Sequence, residues 1–149
     1  LLPKKVEALA GQRVVALSAG RSHGLAITAN GAVFAWGQGG HRCLGHGEDL
    51  SNQLLPKKIE AFAGQRVIAV SAEQHSLAVT ADGAVWSWGD GCLGKLGHGD
   101  EQLQLLPKKV EALADQRVVA VSAGARHSLG LTADGGVWSW GDGWRGKLG

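Results

Sequence analysis

The stretch at residues 82–90 reads DGAVWSWGD, and it recurs with small changes at 134–142 (DGGVWSWGD) and at 30–38 (NGAVFAWGQ). Its Asp-Gly or Asn-Gly pair is a strong signal for a tight β-hairpin turn, because both residue types tolerate a positive φ. The alternation after the turn predicts a strand with both aromatic residues on one face and the valine and serine or alanine on the other. The stretch therefore predicts a β-hairpin that the chain uses three times.

The rest of the chain repeats with this hairpin. LLPKK begins at positions 1, 54 and 105, and a histidine follows at 23, 75 and 127. Each copy reads as four short strands. The first contains LPKK, the second is an apolar run such as RVIAVSA, the third begins at the histidine, and the fourth is the second arm of the hairpin. The proline suits a strand at a sheet edge. The sequence thus predicts an all-β chain of four-stranded antiparallel blades, with repeats at about 1–53, 54–104 and 105–149.

The fixed spacing of these residues resembles the repeat of the regulator of chromosome condensation family. In the second copy the resemblance is carried by Pro56, Ile59, Val67, Val70, His75, Ser76, Thr80, Asp82, Gly83, Val85, Trp88, Gly89, Gly94, Leu96, Gly97, His98 and Gly99. It covers essentially the whole chain, and it implies a β-propeller, usually of seven blades, that serves as an interaction platform. Three blades do not close a ring, since propellers have about four to eight. We therefore expect a part of a longer chain, or open edges that further copies or a partner protein cover.

Composition narrows the classes of function. The chain has 149 residues, of which 44% are hydrophobic and 19% charged, and its net charge is +2. This composition is that of a folded domain, and the charge gives no strong reason to expect nucleic acid. The two cysteines, Cys43 and Cys92, make no disulfide framework and favour a reducing, intracellular compartment without identifying one. No apolar run is long enough to predict a transmembrane segment.

Signals for catalysis and for cofactors are missing from the sequence. It contains no phosphate-binding loop before a helix, no Gly-x-Ser-x-Gly elbow and no paired carboxylates outside turns. A histidine that recurs once per repeat is typical of a structural role, such as a hydrogen bond from the ring to the backbone of a neighbouring blade. His41 and Cys43 are of metal-ligand types, but the next copy has Leu93 and Lys95 in their places. We therefore predict no enzyme, no cofactor and no metal site.

Candidate interface residues come from the loops and from the first strand of each copy. Trp144 and Arg145 follow the last strand, as His41 and Arg42 do in the first copy, and loops on rigid scaffolds commonly carry recognition. The lysines that recur with LLPKK would form a basic stripe, which a nucleic acid could contact. Lysine on an exposed edge strand also prevents aggregation, and we favour that interpretation. The stripe residues are Lys4, Lys57 and Lys108.

We therefore predict a non-catalytic protein–protein interaction module, acting as a scaffold or adaptor subunit of a larger assembly. The resemblance leaves two alternatives. A guanine nucleotide exchange factor for a small GTPase needs an inserted wedge, and repeats of 51–53 residues show none. An ultraviolet-B sensor of this family has its tryptophan in a Gly-Trp-Arg-His-Thr phrase, whereas no tryptophan precedes the repeated histidine here.

Overall fold

The computed structural model describes residues 2–149, and the regular structure in this range is strands joined by short turns of 3-10 helix. The 3-10 turns are Glu7–Leu9, Gly39–His41, Glu60–Phe62, Cys92–Gly94, Glu111–Leu113 and Trp144–Gly146. The strands are β1 (Val14–Ala19), β2 (His23–Thr28), β3 (Val33–Gly37), β4 (Gln53–Lys58), β5 (Val67–Ala72), β6 (His75–Thr80), β7 (Val85–Gly89), β8 (Gln104–Lys109), β9 (Val118–Ala123), β10 (His127–Thr132) and β11 (Val137–Gly141). The described residues include no helix that is long and apolar enough to span a membrane.

The strands form three antiparallel sheets, which we call blades. Blade 1 has the order β1-β2-β3-β4, blade 2 has β5-β6-β7-β8, and blade 3 has β9-β10-β11. In the first two blades the third strand follows an Asn-Gly or Asp-Gly turn whose glycine has a positive φ, as the sequence predicts (Gly31, 84°; Gly83, 86°). The prediction of an all-β chain of antiparallel blades is confirmed.

The assignment of the LPKK strand differs from the sequence prediction. This strand lies at a sheet edge, as its proline predicts, but it is the fourth strand of the preceding blade and not the first strand of its own. In blade 1, β4 pairs with β3, with Lys58 opposite Phe34 and Lys57 opposite Ala35. The apolar run that follows each LPKK segment forms the first strand of a blade. The sheets are therefore offset by one strand from the sequence repeats at 1–53, 54–104 and 105–149.

The blades pack face to face. Apolar side chains fill the two interfaces between neighbouring blades, which we call the first seam (blades 1 and 2) and the second seam (blades 2 and 3). The first strands adjoin, with β5 in contact with both β1 and β9. At the first seam, Leu25 and Val33 of blade 1 share a cluster with Phe62 and Trp88. The Phe62 ring is 5.7 Å from the rings of both Trp86 and Trp88, edge-on in each case. A large aromatic ring buries on the order of 200 Å², so Trp86 and Trp88 serve as packing at this seam, as the sequence predicts.

The outward faces of blades 1 and 3 have no neighbouring blade among the described residues. Val33 and Val85, on the faces toward the next blade, are 0% and 1% exposed, whereas the equivalent Val137 of blade 3 is 72% exposed. On the opposite side, Leu17 of blade 1 is 74% exposed. The prediction that a partner or further copies cover these faces remains a prediction.

Candidate protein-interaction surface

The two ends of each blade differ in the length of the connections between strands. The tight turns at 29–32, 81–84 and 133–136 mark one end, which we call the hairpin end. The longer loops at 38–52, 90–103 and 142–149 leave from the other end, which we call the loop end. The loop end also includes the start of the second strand, because Gly37 at the end of β3 is paired with His23. Long loops supported by packed strands make the loop end the candidate interaction surface.

Hydrogen bonds across the first seam hold the loop end in place. His23 Nε2 lies 2.9 Å from Ser76 Oγ, and Ser76 Oγ donates to the carbonyl of Cys43 at 2.9 Å. Because the serine has only one proton to donate, His23 must donate to it through Nε2–H. The Cys43 thiol then donates to His23 Nδ1 at 3.2 Å. Trp88 Nε1 donates to the same Cys43 carbonyl at 2.8 Å.

The second seam repeats this arrangement with one change. His75 Nε2 lies 2.7 Å from Ser128 Oγ, which donates to the carbonyl of Lys95 at 2.7 Å. Lys95 stands where the first copy has Cys43, and its Nζ is paired with Asp90 at 2.5 Å. His75 Nδ1 is consequently buried with no hydrogen-bond partner among residues 2–149.

The two seam histidines and Cys43 are uncharged at neutral pH. Burial, with a smaller effect of His41, lowers the pKa of His23 to about 4. Burial, with help from the Lys95 ammonium, lowers the pKa of His75 to about 4. Burial raises the pKa of the Cys43 thiol to about 11, so this thiol is not a reactive thiolate. The repeated histidine has the structural role that the sequence predicts, although its partner is a serine side chain.

The first pair of candidate interface residues lies at the mouth of the first seam. His41 and Arg42 line a cavity of about 300 Å³ on the loop end, which we call the seam cavity. Its other lining residues are Arg21, Gly40, Gln74, Asp90 and Leu103. The ring of His41 is fixed by a hydrogen bond of 3.1 Å between its Nδ1 and Ser22 Oγ. Blades 1 and 2 both contribute, so the cavity exists only when they are packed together.

The second pair lies on blade 3. The Trp144 side chain is 60% exposed, and the Arg145 guanidinium carbon lies 4.2 Å from the centre of its ring. Lys147 Nζ lies 5.9 Å from the same ring. Neither residue of the pair lines the seam cavity. An aromatic ring held in the open beside two cations has the composition of an interface anchor.

The three lysines lie elsewhere and are all exposed. Lys57 and Lys108 are on the outer strands β4 and β8, and Lys4 precedes the first strand. Lys57 Nζ forms an ion pair with Asp49 at 2.6 Å, which interrupts a basic stripe. The structure therefore places the candidate residues at three separate locations.

Sequence reasoning missed Arg21 and Gln74 of the seam cavity. The signal for Arg21 is its position two residues before the repeated histidine, where the chain has Arg21, Glu73 and Ala125. The segments read SAGRSH, SAEQH and SAGARH, so the second copy also lacks the glycine. The position directly after it varies too, with Ser22, Gln74 and Arg126. A loop-end position that changes within a uniform repeat is a candidate for recognition. Among the described residues, no group of three or more histidine, cysteine or acidic side chains could hold a metal ion.

Comparison with known proteins agrees with this architecture. The model of the regulator of chromosome condensation (RCC1) repeat matches residues 30–79 and 82–131, and a second model of the repeat matches 14–43, 67–95 and 118–146. The chain belongs to the RCC1 repeat family. The RCC1 repeat models begin near the hairpin or the apolar strand, so their units also differ from the LLPKK repeat.

Proteins similar to this RCC1-repeat chain are much longer. Human E3 ubiquitin-protein ligase HERC2 is 42% identical over 95% of this chain and 3% of its own length. The ultraviolet-B receptor UVR8 of Arabidopsis thaliana is 35% identical over 100% of this chain and 34% of its own. The chain thus spans about a third or less of these relatives.

Solved RCC1-type structures have the same fold. Human WBSCR16 superposes with a TM-score of 0.80 at 27% identity, over 87% of this chain and 33% of that one. Prp20p of Saccharomyces cerevisiae, studied for its binding to Gsp1p and histones, superposes at 0.75 with 26% identity, over 91% of this chain and 34% of that one. These neighbours support a protein-interaction module with three propeller blades in this chain.

Proposed function

We propose that this chain is a non-catalytic docking module that holds a partner protein with the loop end of its blades, as a scaffold or adaptor part of a larger assembly. One observation carries the proposal: the seams are locked by the same hydrogen bonds, while the loop end varies from blade to blade. At the position of Trp144 the other blades have Gly40 and Cys92, and at that of Arg145 they have His41 and Leu93. Variation in the long loops of a rigid scaffold favours recognition there.

Trp144 is the residue that we expect to contribute most to binding. A large aromatic side chain exposed over 60% of its surface loses that contact with water when a partner covers it, and tryptophan and arginine are enriched among residues that dominate binding energy. The Lys4, Lys57 and Lys108 side chains are exposed, and that of Lys57 is paired with Asp49 of the loop at 38–52, so we assign them to the solvated outer edge. Binding of nucleic acid through them stays a weaker alternative.

Site-specific photocrosslinking tests the proposal. A photoreactive amino acid is placed at position 144, and a matched control carries it at Gln65, which is exposed at the hairpin end. We expect a discrete crosslinked protein partner from position 144 and none from position 65 in extracts of the source cells. Crosslinks from position 65 alone, or from neither position, would overturn the proposal.

Two other functions stay as alternatives within the family. An exchange factor would accelerate release of a fluorescent nucleotide from a small GTPase, and the relation to Prp20p motivates the assay. A light sensor would change its oligomer size after ultraviolet-B exposure, as the relation to UVR8 suggests. The packing role of Trp86 and Trp88 on Phe62 accounts for those tryptophans without light sensing.

A further inference from the structure

The seam cavity carries charge that the packing of the blades does not use. Arg21 and Arg42 both line it and are both exposed. Within residues 2–149, no carboxylate lies within 4 Å of either guanidinium. All four ion pairs in this range are formed by lysines. These pairs are Lys5–Glu7, Lys57–Asp49, Lys95–Asp90 and Lys147–Asp142.

The nearby acidic groups are already occupied or turned inward. Asp90 lines the cavity, but its Oδ2 is bound by Lys95 Nζ at 2.5 Å and its Oδ1 accepts the backbone N–H of Cys92 at 3.1 Å. Glu73 carries an oxygen, Oε2, that is buried, and its side chain is not part of the cavity lining. The two guanidinium groups are therefore left without an ion-pair partner among residues 2–149.

The backbone at Arg42 supports a role beyond packing. Arg42 has a φ of 61°, in the left-handed region that disfavours residues with a Cβ. The equivalent positions in the other copies are glycines, Gly94 with a φ of 70° and Gly146 with a φ of 73°. Strained backbone is often retained at functional sites. The other two loops also have one left-handed residue that is not glycine, Leu93 and Arg145, but only Arg42 lines the seam cavity.

We propose that the seam cavity binds an acidic segment of the partner protein, with an aspartate or glutamate carboxylate held by Arg21 and Arg42 and an aliphatic side chain against Leu103. Arginine is suited to this because its planar fork of N–H groups matches a carboxylate. The volume of about 300 Å³ is at the lower end for ligand pockets, so it fits one or two side chains. This inference rests on the proposed function and names the partner chemistry at the loop end.

Nucleic acid fits the cavity less well. Binding of single strands generally uses aromatic side chains on which bases stack, combined with a continuous basic groove. None of the described residues that line the cavity is a tryptophan or phenylalanine, and the carboxylate of Asp90 forms part of the wall. A discrete pair of arginines beside a leucine is better matched to an acidic and aliphatic peptide.

The test uses short fluorescent peptides in which aspartate and glutamate alternate with leucine and valine, and the same peptides with asparagine and glutamine as neutral controls. Binding to the 149-residue chain is measured by fluorescence anisotropy at two salt concentrations. We expect Arg21→Gln and Arg42→Gly each to weaken binding of the acidic peptides about tenfold, the factor that corresponds to about 1.4 kcal/mol.

Two control variants separate the cavity from general charge and from backbone strain. Arg13→Gln removes a positive charge from an exposed residue of blade 1 at the hairpin end, and Leu93→Gly relieves a left-handed residue (φ 64°) outside the cavity lining. We expect neither to change peptide affinity by more than about twofold, well short of the tenfold step of 1.4 kcal/mol. Arg42→Gly is expected to raise the midpoint of thermal unfolding while it weakens binding, which excludes misfolding as the cause.

Three results would overturn the inference: no preference for acidic over neutral peptides, an equal loss with Arg13→Gln, or tighter binding of a single-stranded oligonucleotide that depends on Arg21 and Arg42. The two proposals can fail separately. If position 144 crosslinks a partner but the arginine variants bind peptides normally, only this inference fails. If the peptides bind as expected and no partner crosslinks at position 144, the proposed docking function fails.

Discussion

His23 Nε2 lies 2.9 Å from Ser76 Oγ, so a hydrogen bond between side chains 53 residues apart joins blade 1 to blade 2. The same bond recurs between His75 and Ser128 at 2.7 Å, again 53 residues apart. Each histidine thus needs a serine from the next blade, and the equivalent position in blade 1 is Gly24. The stability of the molecule is therefore expected to depend on these seams in addition to the sheets.

Substitution of the seam serine tests this dependence. Ser76→Ala removes the acceptor of His23 and one of two donors to the Cys43 carbonyl, the other being Trp88. We expect a loss of about 1–2 kcal/mol in the free energy of unfolding, because a buried donor is left unpaired. Urea denaturation measures the change. As a control, Ser51→Ala in an exposed loop should stay within about 0.5 kcal/mol. An unchanged midpoint for Ser76→Ala would contradict the seam argument.

The repeat also predicts a stabilising substitution at Ala35. His46 Nε2 is buried without a partner among the described residues, whereas the equivalent His98 Nε2 lies 2.9 Å from Ser87 Oγ. Ala35 occupies the place of Ser87, so Ala35→Ser should supply the missing hydroxyl and raise the free energy of unfolding by about 0.5–1 kcal/mol. Ala35→Val adds volume without a hydroxyl and should destabilise by about 1–3 kcal/mol. The denaturant midpoints of the two variants and the parent chain are compared, and a destabilised Ala35→Ser variant would refute the prediction.

Two ion pairs at one repeat position differ in burial and should differ in energy. The Lys95 side chain is 2% exposed, and that of Lys147 is 26% exposed. Asp90→Asn leaves the buried Lys95 ammonium unpaired, and we expect it to cost about 2–4 kcal/mol. Asp142→Asn does the same to a better-solvated lysine and should lower the midpoint of thermal unfolding distinctly less. Thermal unfolding of the two variants gives the comparison, and equal losses would show that burial does not set the cost.

The neutral seam histidines predict acid sensitivity. Their pKa is about 4 in the folded chain against 6.5 when unperturbed. The stability that they contribute is therefore complete above about pH 6.5 and is lost as the pH falls toward 4, by roughly 3 kcal/mol per histidine at most. Denaturation in urea between pH 4 and 7 measures how the free energy of unfolding changes with pH. His75→Gln should reduce the number of protons taken up on unfolding by nearly one. The same slope in variant and parent would exclude His75 as its source.

The loss of stability between about pH 6.5 and 4 is expected from the histidines and not from the carboxylates. Partial burial alone would raise the pKa of Asp90, but the hydrogen bonds from Lys95 and Cys92 outweigh it and lower the pKa to about 2. The stability from this aspartate is present above about pH 4 and is lost only as the pH falls through about 2. An acid transition that begins near pH 6 would therefore report buried histidines, which include His46 and His98 because burial lowers the pKa of both, and the His75→Gln variant gives the contribution of one seam.

The strands and the packing role of Trp88 could be predicted from the sequence because each rests on a local pattern. The pairing of β4 could not, since hydrogen bonding between LPKK and the preceding hairpin depends on where the chain crosses to the next blade. The seam cavity was only half predicted. His41 and Arg42 stood out in one loop, but Arg21 reaches the cavity from a turn 20 residues earlier than His41, and only the packed blades bring them together.

The offset between repeat and sheet has a consequence for how the molecule opens. Each of blades 1 and 2 is completed by a strand that belongs to the next repeat, so melting residues 54–104 would remove β4 from blade 1 together with most of blade 2. No repeat can then unfold by itself, although repeat proteins in general can open unit by unit. Amide hydrogen exchange should therefore show β3 and β5 opening together as one cooperative unit, although the boundary between the first two sequence repeats lies between these strands.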